Sequence, residues 1–203
     1  MTSKHSPLLL LLLGTLFLSA CLAQPHPNKN TYALEAAVPE PSGQVKARQK
    51  TMLVGTVAVA AGFENRAFIY RTSPNKLEAD FYNEFMAPPA RLLADQAAQY
   101  LDAANKRLRV VKSPGMIIAD FGLETYLESI LGDFTQNPPR AVISIRFTVN
   151  NLQQSPVKAV LDKTYRHETV MAGKSPENMV IALNNSLTAI LAELNQDLEK
   201  KIR

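Results

Sequence analysis

Residues 141–149 have the sequence Ala-Val-Ile-Ser-Ile-Arg-Phe-Thr-Val, and this stretch decides the fold. Its odd-numbered positions are all apolar, whereas Ser144, Arg146 and Thr148 are polar. Because successive side chains of a strand point to opposite faces, this period of two predicts a long strand with one buried face. The following segment, residues 157–170, continues the alternation at Val157, Ala159, Leu161, Tyr165 and His167. A short link joins the two segments, so we expect an antiparallel hairpin.

Six further segments have strand-like patterns. They are Thr31–Glu35, Thr51–Ala60, Arg66–Arg71, Leu77–Tyr82, Leu108–Lys112 and Leu123–Phe134. The second of these is apolar at nearly every position and rich in β-branched residues, which predicts a central strand covered on both faces. The third and fourth form a hairpin around Pro74 and Asn75. The last fits helix or strand by pattern, and its interior Gly132 favours a strand.

Two helices complete the predicted fold. The first begins at Pro88 and Pro89 and ends near Ala104, with an apolar face at Leu92, Leu93, Ala97, Tyr100, Leu101 and Ala104. The second begins at Ser175-Pro176-Glu177, which combines an N-cap serine, a proline at the first helical position and an acidic first turn. Its apolar stripe is Leu183, Leu187, Ile190, Leu191, Leu194 and Leu198. Two amphipathic helices on a single, mostly antiparallel sheet predict one α/β (α+β) sandwich domain, residues 31–203.

The N-terminal region predicts an exported, lipid-anchored protein. Residues 1–20 combine Lys4 with an apolar run too short to span a bilayer, as in a secretory signal peptide. The signal ends in Leu18-Ser19-Ala20-Cys21, which resembles the bacterial lipobox, and this cysteine is the only one in the chain. The alternatives are an ordinary cleaved signal, or an uncleaved anchor with an incidental thiol. We expect the Cys21 thiol to carry diacylglycerol, the chain to be cut before it and the new amine to be acylated, so that residues 21–30 form the acylated cysteine and a tether.

The residue after Cys21 is Leu22 rather than Asp. In the sorting rule of enterobacterial lipoproteins, this predicts the periplasmic face of the outer membrane. Two or three acyl chains hold a protein on a membrane essentially permanently, because each buried methylene contributes about 0.8 kcal/mol.

Composition argues against catalysis and nucleic-acid binding. Without residues 1–20 the chain has 21 basic and 18 acidic residues, a net charge of +3, and the basic residues are scattered. The motifs of serine hydrolases, P-loop proteins, dinucleotide-binding domains and zinc proteases are absent. His167 is the only histidine of the predicted domain, too few nitrogen ligands for zinc. Glu78, Asp80 and Glu84 could supply acid–base chemistry, and Asp133 could be similar, but a solvated or partner-facing edge is favoured. We therefore expect no enzyme activity, metal or cofactor.

Aromatic residues cluster in the predicted hairpin. Of 8 Phe and 6 Tyr residues, five lie between positions 68 and 85. Strand alternation places about half of them in the core, and exposed aromatics on a hairpin are typical of a binding surface. The candidate partner interface comprises Tyr70, Phe81, Tyr82 and Phe85.

The order of these features resembles one family. The features are the lipobox, the short tether, Tyr32-x-Leu34, the Leu-Val-Gly-x-Val-x-Val strand (53–59), the Phe-Ile-Tyr-Arg and Asn-x-Leu-Glu hairpin (68–78), the Pro88-Pro89 helix start and the leucine-rich last helix. Together they resemble the auxiliary lipoprotein component of bacterial ABC-type transport systems. One departure is the absence of tryptophan in residues 80–85, where the family pattern has one at the position of Phe85; this chain contains no tryptophan.

The resemblance implies a non-enzymatic accessory to an ABC importer or exporter of lipids or other hydrophobic compounds. The implied partners are a periplasmic subunit with a mammalian-cell-entry domain, a permease and an ATPase on separate chains. The implied fold is related to the N-terminal domain of the Tol system's periplasmic protein. The transported substrate, the direction of transport and homo-oligomer formation are left open.

Two other functions fit parts of the sequence. A lipoprotein activator of cell-wall synthases has a similar small domain, but it needs a long disordered stalk, and the tether here is too short. A stand-alone lipid carrier would bind acyl chains in an internal cavity, and the discriminating feature is a dry cavity of sufficient size.

Overall fold

The alternating segments between residues 140 and 170 form two long paired strands in the computed structural model, which describes residues 28–40, 50–112 and 118–202. The predicted signal peptide, Cys21 and the tether up to residue 27 lie outside the described residues. The strands are β1 (Asn30–Tyr32), β2 (Lys50–Val59), β3 (Ala67–Ser73), β4 (Lys76–Phe85), β5 (Leu108–Val111), β6 (Phe121–Asp133), β7 (Arg140–Asn151) and β8 (Lys158–Val170). The helices are α1 (Pro89–Ala104) and α2 (Pro176–Lys201). Each predicted element is present, although β1 is only three residues long.

One sheet contains all eight of these strands, and β6 is its centre. Along one edge, β6 pairs with β7, which pairs in turn with β8. Along its other edge, the first half of β6 pairs with β2, and its last two residues pair with β3. Beyond these lie β5, next to β2, and the strands β4 and β1, next to β3.

The sheet is mixed in direction. The hairpins β3–β4, β6–β7 and β7–β8 are antiparallel and include the longest registers. The pairs β1–β4, β2–β5, β2–β6 and β3–β6 are parallel. The prediction of an α+β sandwich with a mostly antiparallel sheet and two helices is confirmed, and the parallel pairs are additional. The parallel pairs join strands that are distant in the chain. Such pairings cannot be predicted from the sequence of a turn, because no short turn connects the two strands.

Both helices pack on the same side of the sheet. Helix α1 lies against β2 and β5, α2 lies against β7 and β8, and the two helices contact each other. The expectation that β2 is covered on both faces is therefore wrong in part: Met52 and Val54 are buried, whereas Thr56 and Ala58 are exposed. Strand β2 is central because strands flank it on both edges, not because helices cover both its faces.

The alternation predicted for β8 fails at its start. Val157 precedes the strand and is 55% exposed, and Ala159 is also exposed. The cause is a bulge: Val149 pairs with Leu161, but Asn150 pairs with Ala159, which leaves Val160 as an extra residue. Because one inserted residue reverses the side-chain phase, only the positions from Leu161 onward follow the predicted inward pattern.

Helix α2 supplies much of the core. All six leucine and isoleucine positions of its predicted stripe are buried. The Ser175 hydroxyl accepts a hydrogen bond from the Asn178 backbone N–H at 3.2 Å, which confirms the predicted N-cap. Lys200 and Lys201 lie in the last turn, where cations interact favourably with the helix dipole. In the described part of the chain, neither helix is both long enough and apolar enough to cross a membrane.

The contribution of α2 to stability can be tested at Leu194, which is 0% exposed. Leu194→Ala should lower the free energy of unfolding by about 2–5 kcal/mol, because it removes buried methyl groups and leaves a cavity. The matched control is Ile181→Ala on the same helix, where Ile181 is 59% exposed and the cost should stay within about 0.5 kcal/mol. Urea denaturation followed by circular dichroism measures both. Equal losses would contradict the assignment of this helix face to the core.

Candidate functional site: a bulge beside the entry of the chain

A four-residue bulge in β4 places two aromatic side chains in solvent. Ala67 of β3 pairs with Glu84 of β4, and Ile69 pairs with Ala79. Residues 80–83 therefore lie opposite a single residue of β3, and we call them the β4 bulge. Within it, Phe81 is 61% exposed and Tyr82 is 57% exposed. Their rings meet edge to face, with centroids 5.2 Å apart. We refer to these two residues as the aromatic pair.

The Asp80 carboxylate fixes the shape of the β4 bulge. One oxygen accepts the backbone N–H groups of Tyr82, at 2.7 Å, and Asn83, at 3.0 Å. The other accepts the Tyr70 hydroxyl and the Asn83 side-chain amide, both at 2.8 Å. Burial by itself would raise the pKa of Asp80, but the hydrogen bonds from Asn83, Tyr70 and the backbone outweigh it and hold that pKa below its usual value. The carboxylate is therefore charged at neutral pH.

Tyr70 and Phe85 support the bulge from inside. The Tyr70 ring is half-buried and stacks on Phe134 with centroids 4.9 Å apart. Burial, followed by the hydrogen bond to Asp80, raises the pKa of Tyr70 far above its usual value. Phe85 is 1% exposed and packs edge to face on Phe68 at 4.7 Å. Of the four predicted interface residues, the aromatic pair is exposed, Tyr70 is half-buried and Phe85 is buried. The expectation of an exposed Phe85 is wrong, because the bulge breaks the period of two along β4.

The chain enters the described domain next to the bulge. Strand β1 runs parallel to the end of β4, with Asn30 opposite Asn83 and Tyr32 opposite Phe85. The Asn30 amide donates to Asn83 Oδ1 at 3.0 Å. Just before β1, the Lys29 ammonium lies 5.5 Å from the centre of the Phe81 ring. Sequence reasoning placed Lys29 and Asn30 in the tether, because isolated polar residues near prolines give no signal of a strand.

The hydroxyl of Tyr32 links this region to α2. It donates to Glu177 Oε1 at 2.7 Å and lies 3.3 Å from Asn83 Oδ1. Burial, and then the contact with Glu177, raise the pKa of Tyr32 to about 12. Strand β1, the β4 bulge and the first turn of α2 thus form one hydrogen-bonded unit.

The remaining acidic candidates are held by separate partners. Glu84 forms ion pairs with Lys29, at 3.1 Å, and with Arg66, at 2.6 Å. Glu78 pairs with Lys76 on the same strand. Asp133 accepts from Thr135 and from Arg71, at 3.2 Å for the latter.

His167 forms a 2.7 Å contact with Glu193 of α2. Within residues 28–40, 50–112 and 118–202, no three His, Cys, Asp or Glu side chains are grouped so that they could hold a metal ion.

The model of one family, the ABC-type transport auxiliary lipoprotein component, matches residues 32–195 of this chain. The chain belongs to this family. The resemblance inferred from the sequence is thereby confirmed. The match begins in β1 and ends in α2, so it covers the sheet, both helices and the β4 bulge of this auxiliary lipoprotein. A search of curated proteins finds no match.

Three solved structures share the fold of this chain. A Xanthomonas campestris protein superposes with a TM-score of 0.70 at 17% identity, covering 84% of this chain and 98% of its own. An uncharacterised protein gives 0.68 at 17% identity, covering 84% and 99%. A hypothetical protein from Chlamydia trachomatis gives 0.51 at 12% identity, covering 73% and 98%. At such identities the similarity concerns the fold alone.

A second feature of this auxiliary lipoprotein is an apolar cleft of about 440 Å³ between β2 and α1. Its lining includes Leu53, Val57, Ala90 and Ala94, together with charged Lys112. This cleft is open to solvent, so it differs from the dry internal cavity that a stand-alone lipid carrier requires.

The role of Asp80 can be tested with Asp80→Asn, which replaces one acceptor oxygen with a donor amide. We expect a loss of about 1–3 kcal/mol in the free energy of unfolding at pH 7, because donors of the bulge lose their acceptor. The matched control is Glu78→Gln on the same strand, whose exposed carboxylate contacts Lys76 and Thr72 and should contribute far less to stability.

The same variant predicts a pH dependence. An unfolded Asp has a pKa of about 3.9, and the folded pKa of Asp80 is lower. Its contribution is therefore fully present above about pH 4 and is lost as the pH falls through the folded pKa. The difference in stability between wild type and Asp80→Asn, measured by urea denaturation, should be constant from pH 7 to about pH 5 and shrink below pH 4. A difference that grows on acidification would contradict this.

Proposed function

We propose that this auxiliary lipoprotein is anchored through Cys21 to the periplasmic face of the outer membrane and serves there as a non-catalytic accessory subunit of an ABC-type transporter. Its proposed partners are a periplasmic subunit with a mammalian-cell-entry domain, an ATPase and a permease, and the cargo is lipid or another hydrophobic compound. The observation that carries the proposal is the family match, which spans residues 32–195.

Membership of the family supports a lipoprotein that assists an ABC-type transport system from a membrane-associated periplasmic location. The lipobox supports the lipid anchor itself. The Cys21 thiol would carry diacylglycerol through a thioether, and cleavage before Cys21 would free an amine that takes a further fatty acid such as palmitate. Leu22 after this cysteine supports export to the outer membrane.

The geometry of the site supports a non-catalytic role. A general acid or base works best with a pKa near the operating pH. In the Tyr70–Asp80 pair, the carboxyl pKa is lowered and the phenol pKa is raised, so neither group exchanges a proton near pH 7. Both groups are instead used to shape the β4 bulge.

Chain length favours a docking role close to the membrane. Lys29, the last residue before β1, follows Cys21 by eight residues, so a fully extended link spans at most about 29 Å. An activator of cell-wall synthases would have to reach through the peptidoglycan, and this link is too short for that.

The anchor is tested by Cys21→Ser. We expect the variant to leave the membrane fraction, because serine provides no thiol for acylation, and to appear in the soluble periplasmic fraction. The matched control is Ser19→Ala, which keeps a small residue beside the cleavage site and should remain in the outer-membrane fraction. A Cys21→Ser protein that stays bound would show that the anchor assignment is wrong.

The partners are tested by affinity purification of the full-length protein from detergent-solubilised envelopes. We expect a periplasmic subunit with a mammalian-cell-entry domain, together with its permease and ATPase, identified by mass spectrometry. Recovery should fall when the bait is Cys21→Ser, because the released protein no longer meets its partner at the membrane. Recovery of cell-wall synthases instead would favour the rival function.

A further inference from the structure

We propose that the aromatic pair inserts into the headgroup region of the membrane that holds the lipid anchor. Phe81 and Tyr82 would thus form a second, non-covalent contact with the bilayer and orient the domain on it. This inference rests on the proposed anchoring at Cys21.

The chemistry of the pair fits a membrane–water interface. Aromatic side chains with an apolar body and a polar tip are enriched at the level of lipid headgroups, and Tyr82 has this character. Phe81 beside it supplies apolar area, and both are more than half exposed. The Lys29 ammonium lies over the Phe81 ring while it pairs with Glu84, so a cation stands beside the aromatic pair where anionic lipid headgroups would lie.

The pair lies close to where the chain leads to the anchor. Lys29 is at most about 29 Å of extended chain from Cys21. Its ammonium is 5.5 Å from the Phe81 ring. The acyl chains therefore hold the pair near the bilayer surface at a high effective concentration, so that even a weak contact is populated.

The electrostatics of β4 allow approach to lipid. Its three carboxylates are Glu78, Asp80 and Glu84, and each has partners of its own: Lys76 for the first, four hydrogen-bond donors for the second, Lys29 and Arg66 for the third. Each of these carboxylates therefore keeps a compensating contact if it loses water when the bulge meets the headgroups.

Rigidity and size also favour a membrane over a protein. Because Asp80 holds the bulge in one shape, insertion orders few additional groups. A stable protein–protein interface buries about 800 Å² on each partner, whereas two aromatic side chains offer about 150–250 Å² each. Such a small wedge suffices for a shallow contact with lipid, so the membrane is a better occupant than the protein partner expected from the sequence.

The absence of tryptophan gives a direct test, since a single introduced tryptophan reports on its own surroundings. Full-length, acylated Phe81→Trp protein is reconstituted into vesicles of phosphatidylethanolamine and phosphatidylglycerol, with and without brominated acyl chains. We expect the introduced tryptophan to emit at a shorter wavelength in vesicles than in buffer without lipid or detergent. Its emission should lose intensity when the acyl chains are brominated. The matched control is Val157→Trp, because Val157 is 55% exposed and adjoins β8 at the opposite edge of the sheet. Its emission should be water-like and unquenched.

Two readouts separate this inference from the anchor itself. Flotation of the vesicles reports anchoring, and Cys21→Ser should fail to float. If Phe81→Trp floats but is unquenched, the inference is wrong while the anchor stands. Equal quenching of Phe81→Trp and Val157→Trp would also overturn the inference. So would a Phe81→Trp emission that shifts to shorter wavelength only after the periplasmic subunit is added, because that would assign the pair to a protein partner. If Cys21→Ser floats as the wild type does, the anchor assignment fails, and quenching still decides the role of the pair.

Discussion

The close approach of three elements at Gly132 is the constraint on which the rest of this structure depends. A Cβ atom at this position would lie 3.1 Å from the Met179 sulfur and 3.2 Å from ring atoms of Phe134 and Tyr70. Gly132 is also the residue of β6 that pairs with Tyr70 of β3. Without a side chain there, β3 can join β6 while α2 crosses the same point. The position of Tyr70, and through its hydroxyl the position of Asp80, follow from this contact, so the shape of the β4 bulge is set from the core outward.

Local patterns predicted most of the elements but not the features that make the site. The alternation in residues 141–149 and the N-cap at Ser175 report directly on backbone geometry, and both predictions were correct. The bulges in β8 and β4 were not predictable, because an inserted residue changes the phase of a strand without changing its composition. The assignment of Phe85 to an exposed interface failed for that reason. The position of β1 beside the bulge depends on a parallel pairing across more than fifty residues, which no local pattern contains.

The polar residues of the site show how a constellation with catalytic appearance can be structural. A tyrosine and an aspartate 2.8 Å apart could form an acid–base pair. The environment, however, moves their pKa values away from neutrality in opposite directions, which stabilises the charged carboxylate and the neutral phenol. This is the arrangement expected for a fixed hydrogen bond. The hydrogen bonds of this network stabilise the backbone conformation of residues 80–83. That conformation places the aromatic pair in solvent.

A lipid anchor on the chain that leads into β1, together with the aromatic pair on the adjacent β4 bulge, would solve a geometric problem that neither solves alone. Acyl chains joined to a domain through a short peptide link fix where the domain is, but leave its orientation free. A second contact a few ångströms from the point where the link joins the sheet would restrict rotation, because the hydrogen bonds of Asn30 and Tyr32 make β1, the bulge and α2 one rigid unit. The far edge of the sheet, at β8, would then face away from the membrane. A partner that arrives from the other side of the periplasm would meet a surface of defined orientation, as docking of an accessory subunit to a transporter requires.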